Sequence, residues 1–331
     1  MSYKLGLDAT NINTGGGLTH LVELLRNAEP QNQGFSNVIV WGGSKTLEAI
    51  EDRPWLKKIN PPELDKGLLY RTLWHILKLS KAAKLYKCDL LFIPGGIFTT
   101  NFRPVVTMSQ NLLPFLWTEL KRYKYSWYTL RLVLLRKAQL NSFRNSNGII
   151  FLSNHAKRSV LKIAGSLTCR TTLIPHGVDS RFFLKPILHR KVEDCTEVNP
   201  LRIIYVSIID VYKHQWQLVK AVAKLRQETG WPLALDLIGP AYSPALKRLR
   251  NNLTRYDKKG TWAKYYGSIP YQKLHKIYAK SDIGIWASSC ETFGMILLEK
   301  MAAGLPIACS NREPMTELLG SAGVYFDPEQ P

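Results

Sequence analysis

Short apolar runs alternate with longer stretches of helical apolar spacing along this chain of 331 residues. An apolar run of about four to eight residues is typical of a buried strand, whereas apolar residues three and four apart indicate a helix. In the first half, the pattern predicts strands over 4–9, 38–41, 90–93, 105–108, 148–153 and 172–174. It predicts intervening helices over 18–27, 68–86 and 154–163, and one or two helices over 118–143.

A second series begins after residue 200, with strands predicted over 201–206, 233–238, 263–266, 283–286 and 306–309. Strands that alternate with helices form parallel sheets with right-handed crossovers. The stretch between the two series is polar and bounded by prolines, which is typical of a linker. The sequence therefore predicts an α/β fold of two doubly wound, Rossmann-like domains facing across a cleft. Residues 1–184 form the first domain, 185–200 the linker and 201–331 the second domain.

The positive charge is concentrated in the first half of the chain. The formal net charge is +20, and residues 66–170 contain 18 Lys or Arg against two acids, or 18 − 2 = +16. An anionic lipid surface, an anionic glycan or lipid acceptor, or nucleic acid would each suit such a surface. No nucleic-acid-binding module is recognisable, so no nucleic acid partner is expected.

One stretch of this basic half has the composition of an interfacial helix. Aromatic residues alternate with cations over 120–128, and leucines follow at near-helical spacing over 130–137. A helix lying in an anionic membrane interface has this composition. A helix packed on its own domain with a solvated basic face would have it too, and the sequence leaves both open.

Cysteine usage and hydropathy bear on location. The cysteines are odd in number and scattered, without zinc or disulfide spacing: Cys88, Cys169, Cys195, Cys290 and Cys309. This pattern indicates reduced thiols and a cytoplasmic protein. The N-terminus lacks the apolar stretch of a signal peptide, and no apolar run reaches the ~18 residues of a membrane span. Any membrane association is therefore expected to be peripheral, on the inner face.

Two carboxylates near the end of the chain point to a ligand. Glu291 and Glu299 are eight positions apart, and a Phe293-Gly294 turn between them opens an amphipathic helix. This places Glu291 in the loop before the helix and Glu299 about two turns inside it. The amides after Phe293 form a helix N-terminus, which favours a diphosphate. Carboxylates that accept hydroxyl groups beside such a helix end would suit a sugar nucleotide.

This segment resembles the E-x7-E motif of the retaining glycosyltransferases of family 4, which have the two-domain GT-B fold. The flanks agree, with Ala-Ser-Ser at 287–289 and Met-Ala-Ala-Gly-Leu-Pro at 301–306. Further segments similar to the family lie at 15–17, 174–179, 205–207, 237–240, 267–270 and 278–285. The resemblance implies a glycosyltransferase that moves a sugar from a UDP-, GDP- or ADP-sugar to a glycan or lipid-linked acceptor. Synthesis of a cell-surface polysaccharide or lipopolysaccharide is the implied setting, and neither cofactor nor metal is expected.

The resemblance also implies roles for residues of the second domain. Glu299 would bind the ribose hydroxyls, while Glu291 would bind the donor sugar and favour positive charge at the reacting carbon. Lys213 aligns with the family lysine that contacts the phosphates. The amides at the helix start would complete the donor site, supplied by Phe293, Gly294 and Met295.

In the first domain, Gly15, Gly16 and Gly17 would let backbone amides approach the diphosphate. Two positions depart from the family pattern. Gln110 stands where a His is common, and it can bind a sugar hydroxyl but is a poor base, which fits proton transfer to the departing phosphate. Ile208 stands where the family usually has an Arg, so this side chain cannot neutralise charge.

Two other readings stay open at the sequence level. One is a nucleotide-sugar epimerase on the same architecture, against which the donor motif argues. The other is a noncatalytic, C-terminally shortened paralogue kept for its basic surface. The family usually has further helices after the last strand, and this sequence ends at residue 331 without them. Detecting donor hydrolysis or acceptor glycosylation separates an enzyme from the noncatalytic reading.

Overall fold

The computed structural model describes residues 2–185 and 190–330 as two sets of parallel strands with helices between them. The strands are β1 (Tyr3–Asp8), β2 (Phe35–Trp41), β3 (Leu56–Ile59), β4 (Leu90–Ile93), β5 (Val105–Ser109), β6 (Gly148–Phe151), β7 (Arg170–Leu173), β8 (Leu201–Val206), β9 (Leu233–Ile238), β10 (Ala263–Tyr265), β11 (Ile283–Trp286), β12 (Ile307–Ser310) and β13 (Val324–Phe326). The α-helices are α1 (Gly15–Asn27), α2 (Ser44–Glu48), α3 (Leu68–Leu77), α4 (Leu79–Leu85), α5 (Trp117–Leu120), α6 (Trp127–Arg144), α7 (Asn154–Ala164), α8 (Gln215–Thr229), α9 (Ser243–Tyr256), α10 (Leu274–Tyr278), α11 (Met295–Ala302) and α12 (Met315–Leu319).

Each series of strands builds one parallel sheet. The first sheet has the order β3-β2-β1-β4-β5-β6-β7 and the second β10-β9-β8-β11-β12-β13. In both, the order reverses direction beside the first strand, as in a doubly wound fold. The predicted α/β class with two doubly wound sheets is therefore confirmed. The sequence pattern missed β3, whose Lys57 and Lys58 interrupt the apolar run at the sheet edge, and the short β13.

The chain divides into two compact units. The first unit comprises Met1–Phe115 and Ser126–His176, and the second comprises Leu116–Tyr125 and Gly177–Pro331. The second unit thus begins before the predicted linker and also takes in ten residues from the middle of the chain. Residues 186–189 of the predicted linker lie outside the described residues. Arg190 hydrogen-bonds Asp282 Oδ1 at 3.0 Å, and Cys195 is buried in the second core, so 190–200 packs on the second unit.

Two of the predicted helical stretches each contain two α-helices. The predicted helix over 68–86 consists of α3 and α4, which are separated at Lys78. The stretch 118–143, predicted as one or two helices, forms two α-helices, of which α5 with the following 3-10 turn belongs to the second unit and α6 to the first. The interfacial segment expected over 120–137 is therefore not one continuous helix. Ser126 caps α6 by accepting a hydrogen bond from the Thr129 amide, which fixes the start of that helix.

Each unit has its own core. The second core gathers buried side chains of β8, β9, β11 and β12 with those of α8, and Tyr205, Leu235 and Trp286 lie within it. A core cluster of the first unit includes Trp41, Leu91 and Phe98. Among the described residues, no helix combines the length and the apolar character needed to cross a bilayer.

Candidate active site

The predicted donor motif lies where two neighbouring strands of the second sheet end. β8 leads through residues 207–214 into α8, and the adjacent β11 leads through 287–294 into α11. Gly294 has φ +114° and precedes the first residue of α11, so the Phe293-Gly294 turn does open the helix. Glu291 lies in the loop, as expected, and Glu299 lies just over one turn into the helix rather than two.

Lys213 and Glu291 form an ion pair between these two loops. The Lys213 side chain is buried, and its Nζ lies 4.7 Å from the centroid of the Trp286 ring and 5.0 Å from that of Tyr212. A cation over an aromatic face is attracted electrostatically by the ring. The structure therefore brings the two predicted catalytic residues into direct contact, beside the start of α11.

Glu299 points into the second core. Its side chain is 0% exposed and accepts hydrogen bonds from the Tyr271 hydroxyl at 3.0 Å and the Tyr278 hydroxyl at 3.3 Å. Burial is the main effect on this carboxyl, and it raises the pKa of Glu299 to about 7 against the lowering effect of the two tyrosines. Tyr271 also stacks under Arg181, at 5.3 Å from the guanidinium carbon to the ring centroid. A ribose would have to displace the Tyr271 hydroxyl to reach Glu299.

The next residue in the chain, Lys300, adds a second buried cation. Its side chain is 0% exposed, and its Nζ donates to the Ile285 carbonyl at 2.7 Å and lies 5.0 Å from the Trp286 ring centroid. Gly284 makes room for it, because a Cβ on Gly284 would lie 3.1 Å from Lys300 Cδ. Burial lowers the pKa of Lys300 to about 7. The indole of Trp286 thus contacts both Lys213 and Lys300.

A polar network that the sequence does not reveal joins the two loops. Ser289 Oγ donates to Glu119 Oε2 at 2.8 Å and lies 2.9 Å from His214 Nε2. Because the single hydroxyl proton goes to the carboxylate, His214 Nε2 must be the donor to Ser289. Burial lowers the pKa of His214 to about 4, which agrees with a neutral ring. Glu119 comes from the short α5, so only the fold brings it here.

The backbone of His214 also adopts a constrained conformation. Its φ of +53° is left-handed, which is uncommon for a residue with a side chain, and it directly precedes α8. The neighbouring segment is held by Tyr123, whose hydroxyl donates to Asp210 Oδ1 at 2.8 Å. Arg122 pairs with both Glu119 and Glu329. Residues 119–123 therefore brace the loop that carries Lys213.

The predicted site residues of the first unit also lie close together. The glycines form the first turn of α1 rather than a loop before it, with Thr14 as the N-cap and Gly15 at φ +70°. A Cβ on Gly17 would lie 3.3 Å from Gln110 Oε1, so the absence of a side chain lets Gln110 approach the helix start. Gln110 Nε2 lies 3.1 Å from Met108 Sδ. Gly16 lies in the same turn.

The family departure at Ile208 is visible as well. Ile208 lies two residues past β8 and is 36% exposed, with its carbonyl accepting from Gln215 Nε2 at 2.8 Å. No charge stands at this position of the loop. In residues 2–185 and 190–330, no group of three or more His, Cys, Asp or Glu side chains is arranged to hold a metal ion.

Two family models match almost the whole chain. The model described as "Glycosyltransferase Family 4" covers residues 14–182, just over half of the chain, and "Glycosyl transferases group 1" covers 194–331. The chain belongs to glycosyltransferase family 4. This confirms the resemblance drawn from Glu291, Glu299 and their flanks.

Similar proteins agree with this membership. The chain is 31% identical over 127 residues to the O-antigen chain mannosyltransferase B of Escherichia coli, an alignment that covers 38% of this chain and 32% of the relative. It therefore spans about a third of that relative's length. It is also 22% identical over 188 residues to a glycogen synthase of Mycobacterium tuberculosis, covering 56% of this chain and 43% of that protein.

Solved structures show the fold. Anabaena HepE in complex with UDP-glucose superposes with a TM-score of 0.70 at 18% identity, covering 99% of this chain and 86% of HepE. The sucrose-phosphate synthase of Thermosynechococcus elongatus has a TM-score of 0.73 at 18% identity, with the same coverage. WaaG, a glycosyltransferase involved in lipopolysaccharide biosynthesis, has a TM-score of 0.68 at 14% identity, covering 98% of this chain and 87% of WaaG. The predicted GT-B fold is thereby confirmed.

Proposed function

We propose that this protein is a retaining glycosyltransferase of class EC 2.4. It moves a sugar from a nucleoside-diphosphate sugar to a hydroxyl of a glycan or lipid-linked acceptor, in the synthesis of a surface polysaccharide or lipopolysaccharide. The observation that carries this proposal is the Lys213–Glu291 pair beside the Gly294 turn that opens α11. It joins a desolvated cation, a carboxylate and a helix N-terminus in one place.

The pair supplies the electrostatics that donor cleavage needs. Negative charge grows on the diphosphate as the bond from the anomeric carbon breaks, and a fixed cation in a water-poor site stabilises that charge. Lys213 is buried over Trp286, so it meets this requirement with little reorganisation. A bound phosphate would compete with Glu291 for Lys213. Glu291 would then be released to accept hydroxyls of the donor sugar.

The amides at the start of α11 provide the remaining donor contacts. Phe293, Gly294 and Met295 would donate backbone N–H groups to the phosphates, as helix starts do for anions. Gly15–Gly17 would offer a second helix start, and Gln110 a hydrogen bond to the sugar. The acceptor oxygen attacks the anomeric carbon on the face that the diphosphate leaves. Its proton passes to a departing phosphate oxygen, so no side-chain base is required.

The donor class draws on the similar proteins. HepE has been solved with UDP-glucose, and the mannosyltransferase relative is named for O-antigen chains. We extend to this chain a UDP-, GDP- or ADP-sugar donor, with Glu299 as the ribose contact after Tyr271 moves aside. Neither a metal nor a cofactor takes part in this proposal, since Lys213 and the amides carry the charge. Activity that survives a strong chelator would support that part.

The first unit is proposed to bind the acceptor. Residues 66–115 and 126–170 of this unit contain 15 Lys or Arg and one acid, or 15 − 1 = +14, and this charge would hold the unit by peripheral attachment to an anionic membrane, on the cytoplasmic face. There a lipid-linked or lipid-borne glycan would be within reach. The comparisons lend nothing to the epimerase reading.

A donor screen tests the function. Thermal shift against a panel of UDP-, GDP- and ADP-sugars identifies the donor, and release of the free nucleotide then measures hydrolysis or transfer. The proposal expects one donor to stabilise the protein and to be consumed, with retention at the anomeric carbon in the product. Stabilisation without any consumption, with acceptor glycans present, would instead favour the noncatalytic paralogue. Such a result would be explained by the lack of a charge at Ile208 and by the pairing of Lys213 with Glu291.

A further inference from the structure

Helix α3 exposes most of its large apolar side chains. Of its ten residues, Leu68, Leu69, Tyr70, Leu73, Ile76 and Leu77 are each between 44% and 67% exposed. Only Trp74 and His75 are buried. Soluble proteins rarely leave an apolar patch of this kind uncovered, and such patches mark interaction surfaces.

The buried side of α3 anchors the helix firmly. Trp74 packs in the core cluster of the first unit. His75 Nε2 lies 2.8 Å from Asp8 Oδ2, and His75 Nδ1 lies 3.2 Å from Thr99 Oγ1. The His75–Asp8 pair is buried, and the carboxylate of Asp8 raises the pKa of His75 against the effect of burial. The exposed leucines therefore belong to a well-attached helix and not to a frayed end.

Cations are frequent on α3 and in the residues beside it. Residues 66–88 contain six Lys or Arg and no Asp or Glu, the cations being Lys66, Arg71, Lys78, Lys81, Lys84 and Lys87. Lys66 lies over the exposed Tyr70 ring at 5.1 Å. Two acids lie in the adjoining 3-10 turn: Glu63 pairs with Lys78, and Asp65 accepts a hydrogen bond from Ser44. An apolar helix face in a cation-rich segment complements an anionic bilayer, with leucines in the acyl boundary and lysines at the headgroups.

We propose that α3 inserts its exposed apolar face into the interface of an anionic lipid bilayer and anchors the first unit there. This inference deepens the proposed function and rests on it for its purpose, because His75 ties α3 to Asp8 at the carboxyl end of β1. α1 with its glycines begins seven residues after Asp8. The bilayer would therefore lie against the edge of the sheet to which the acceptor is assigned.

The inference differs from attachment by charge alone. Charge attraction is screened by salt, whose Debye length falls from about 8 Å at physiological ionic strength to about 3 Å at 1 M. Burial of leucines in the interface is not screened. Insertion therefore predicts a bound fraction that survives high salt, whereas attachment through the basic half alone predicts complete release.

Vesicle co-sedimentation of the full chain tests the inference, with phosphatidylglycerol–phosphatidylcholine vesicles and pure phosphatidylcholine vesicles. We expect binding to the anionic vesicles, with a substantial fraction still bound at about 1 M salt. The variant Leu69→Glu/Leu73→Glu should lower the partition coefficient at least tenfold. A matched control, Val198→Glu/Leu225→Glu, places the same two charges at exposed apolar positions of the second unit and should bind nearly as the parent does. Thermal unfolding of both variants checks that each is folded.

Three results would overturn the inference. The first is complete release of the parent at high salt, which leaves charge alone as the attachment. The second is equal loss of binding in the two double variants. The third is a parent dimer that Leu69→Glu/Leu73→Glu converts to a monomer in size-exclusion chromatography, which would assign α3 to a second copy of the chain. Donor hydrolysis without vesicles should be equal in parent and variant, and its absence from the parent would count against the proposed function and not against insertion.

Discussion

The carboxyl edges of the two sheets carry different chemistry. In the second unit, the loops after β8 and β11 hold the Lys213–Glu291 pair. The buried Lys300 of α11 also contacts the Trp286 ring. In the first unit, the predicted site residues are neutral, a glycine helix start and Gln110. In a nucleotide sugar, the charged diphosphate lies between two neutral groups, the nucleoside and the sugar. Under the proposed function, Lys213 of the second unit stabilises the charge on the diphosphate, whereas the neutral groups of the first unit contribute only hydrogen bonds.

Substitutions at the two edges should also differ in how much they lower the free energy of unfolding. Removing one member of a buried ion pair costs about 3–5 kcal/mol, because the other member stays uncompensated. Neutral groups at a half-exposed helix start have no comparable cost. Substitutions in the second unit should therefore affect both stability and catalysis, whereas those in the first should affect ligand recognition with little loss of stability.

The largest expected effect belongs to Lys213. Lys213→Ala should lower kcat by about 10²–10³, because the lost cation acts on charge that grows toward the transition state, and donor binding should weaken less. Steady-state kinetics with the identified donor, together with calorimetric titration of the same variant, measures both. The exposed Lys220→Ala on α8 is the control for general charge loss. Equal turnover in parent and Lys213→Ala would remove Lys213 from the mechanism.

Glu299 should make stability depend on pH. Its carboxyl holds a proton more tightly when folded, with the pKa raised from 4.5 to about 7. The folded state then binds more protons than the unfolded state between these values, so stability falls as pH rises from about 5 to 7, by on the order of 3 kcal/mol. Lys300 acts in the opposite direction, since its lowered pKa makes stability rise as pH increases from about 7.

Glu299→Gln should therefore flatten the fall below neutral pH, and the rise due to Lys300 should begin at a lower pH, because the Glu299 carboxylate raises the pKa of Lys300. Urea unfolding at several pH values measures the slope, and the exposed Glu228→Gln is the matched control. A slope between pH 5 and 7 that is unchanged in Glu299→Gln would show that the carboxyl is ionised in the fold.

Donor binding gives Glu299 a second test. Glu299→Ala should weaken nucleotide-sugar binding, because two ribose hydroxyls lose a charged acceptor that is worth about 1.5–3 kcal/mol. Titration calorimetry at pH 8, where the carboxyl is ionised, measures the change. Tyr271→Phe should have the opposite sign, since it removes a hydroxyl that competes with the ribose for this carboxylate. An unchanged dissociation constant in Glu299→Ala would leave the residue a purely structural role.

The sequence could predict the parts of this comparison that are local. The strand at 90–93, the Phe293-Gly294 turn and the placement of Glu291 before a helix all depend on neighbours within a few residues. Glu119 could not be predicted, because it reaches Ser289 across 170 positions and only the docking of 116–125 on the second unit brings them together. The burial of Glu299 under Tyr271 and Tyr278 could not be predicted either, because the same periodicity describes an exposed or a buried helix face.

The exposed apolar face of α3 could not be predicted from the sequence either. The sequence pointed to residues 120–137 because aromatics and cations alternate there, and to α3 only as a helix with apolar spacing. Apolar spacing normally indicates the buried face of a helix. In α3 the structure turns most of these side chains outward and buries Trp74 and His75 instead. Only the exposure of each side chain distinguishes an apolar face that packs on the core from one that faces outward.

The smallest effect is expected in the first unit, and it concerns Gly17 and Gln110. Gly17→Ala would bring a Cβ to 3.3 Å from Gln110 Oε1, tighter than an ordinary contact, so the amide must shift. Gln110→Ala should weaken donor binding a few-fold by removing one hydrogen bond, worth about 0.5–1.5 kcal/mol. If Gly17 acts through Gln110, Gly17→Ala should weaken binding in the parent and have no effect in Gln110→Ala. The expected coupling is about 0.5–1 kcal/mol, the lower part of the range for residues in contact.

The midpoint of thermal unfolding should be nearly the same in the parent, the two single variants and the double variant, because no charged group is changed. Additive effects on the donor dissociation constant would mean that the two residues act separately, and a large loss of stability would end the contrast between the two edges.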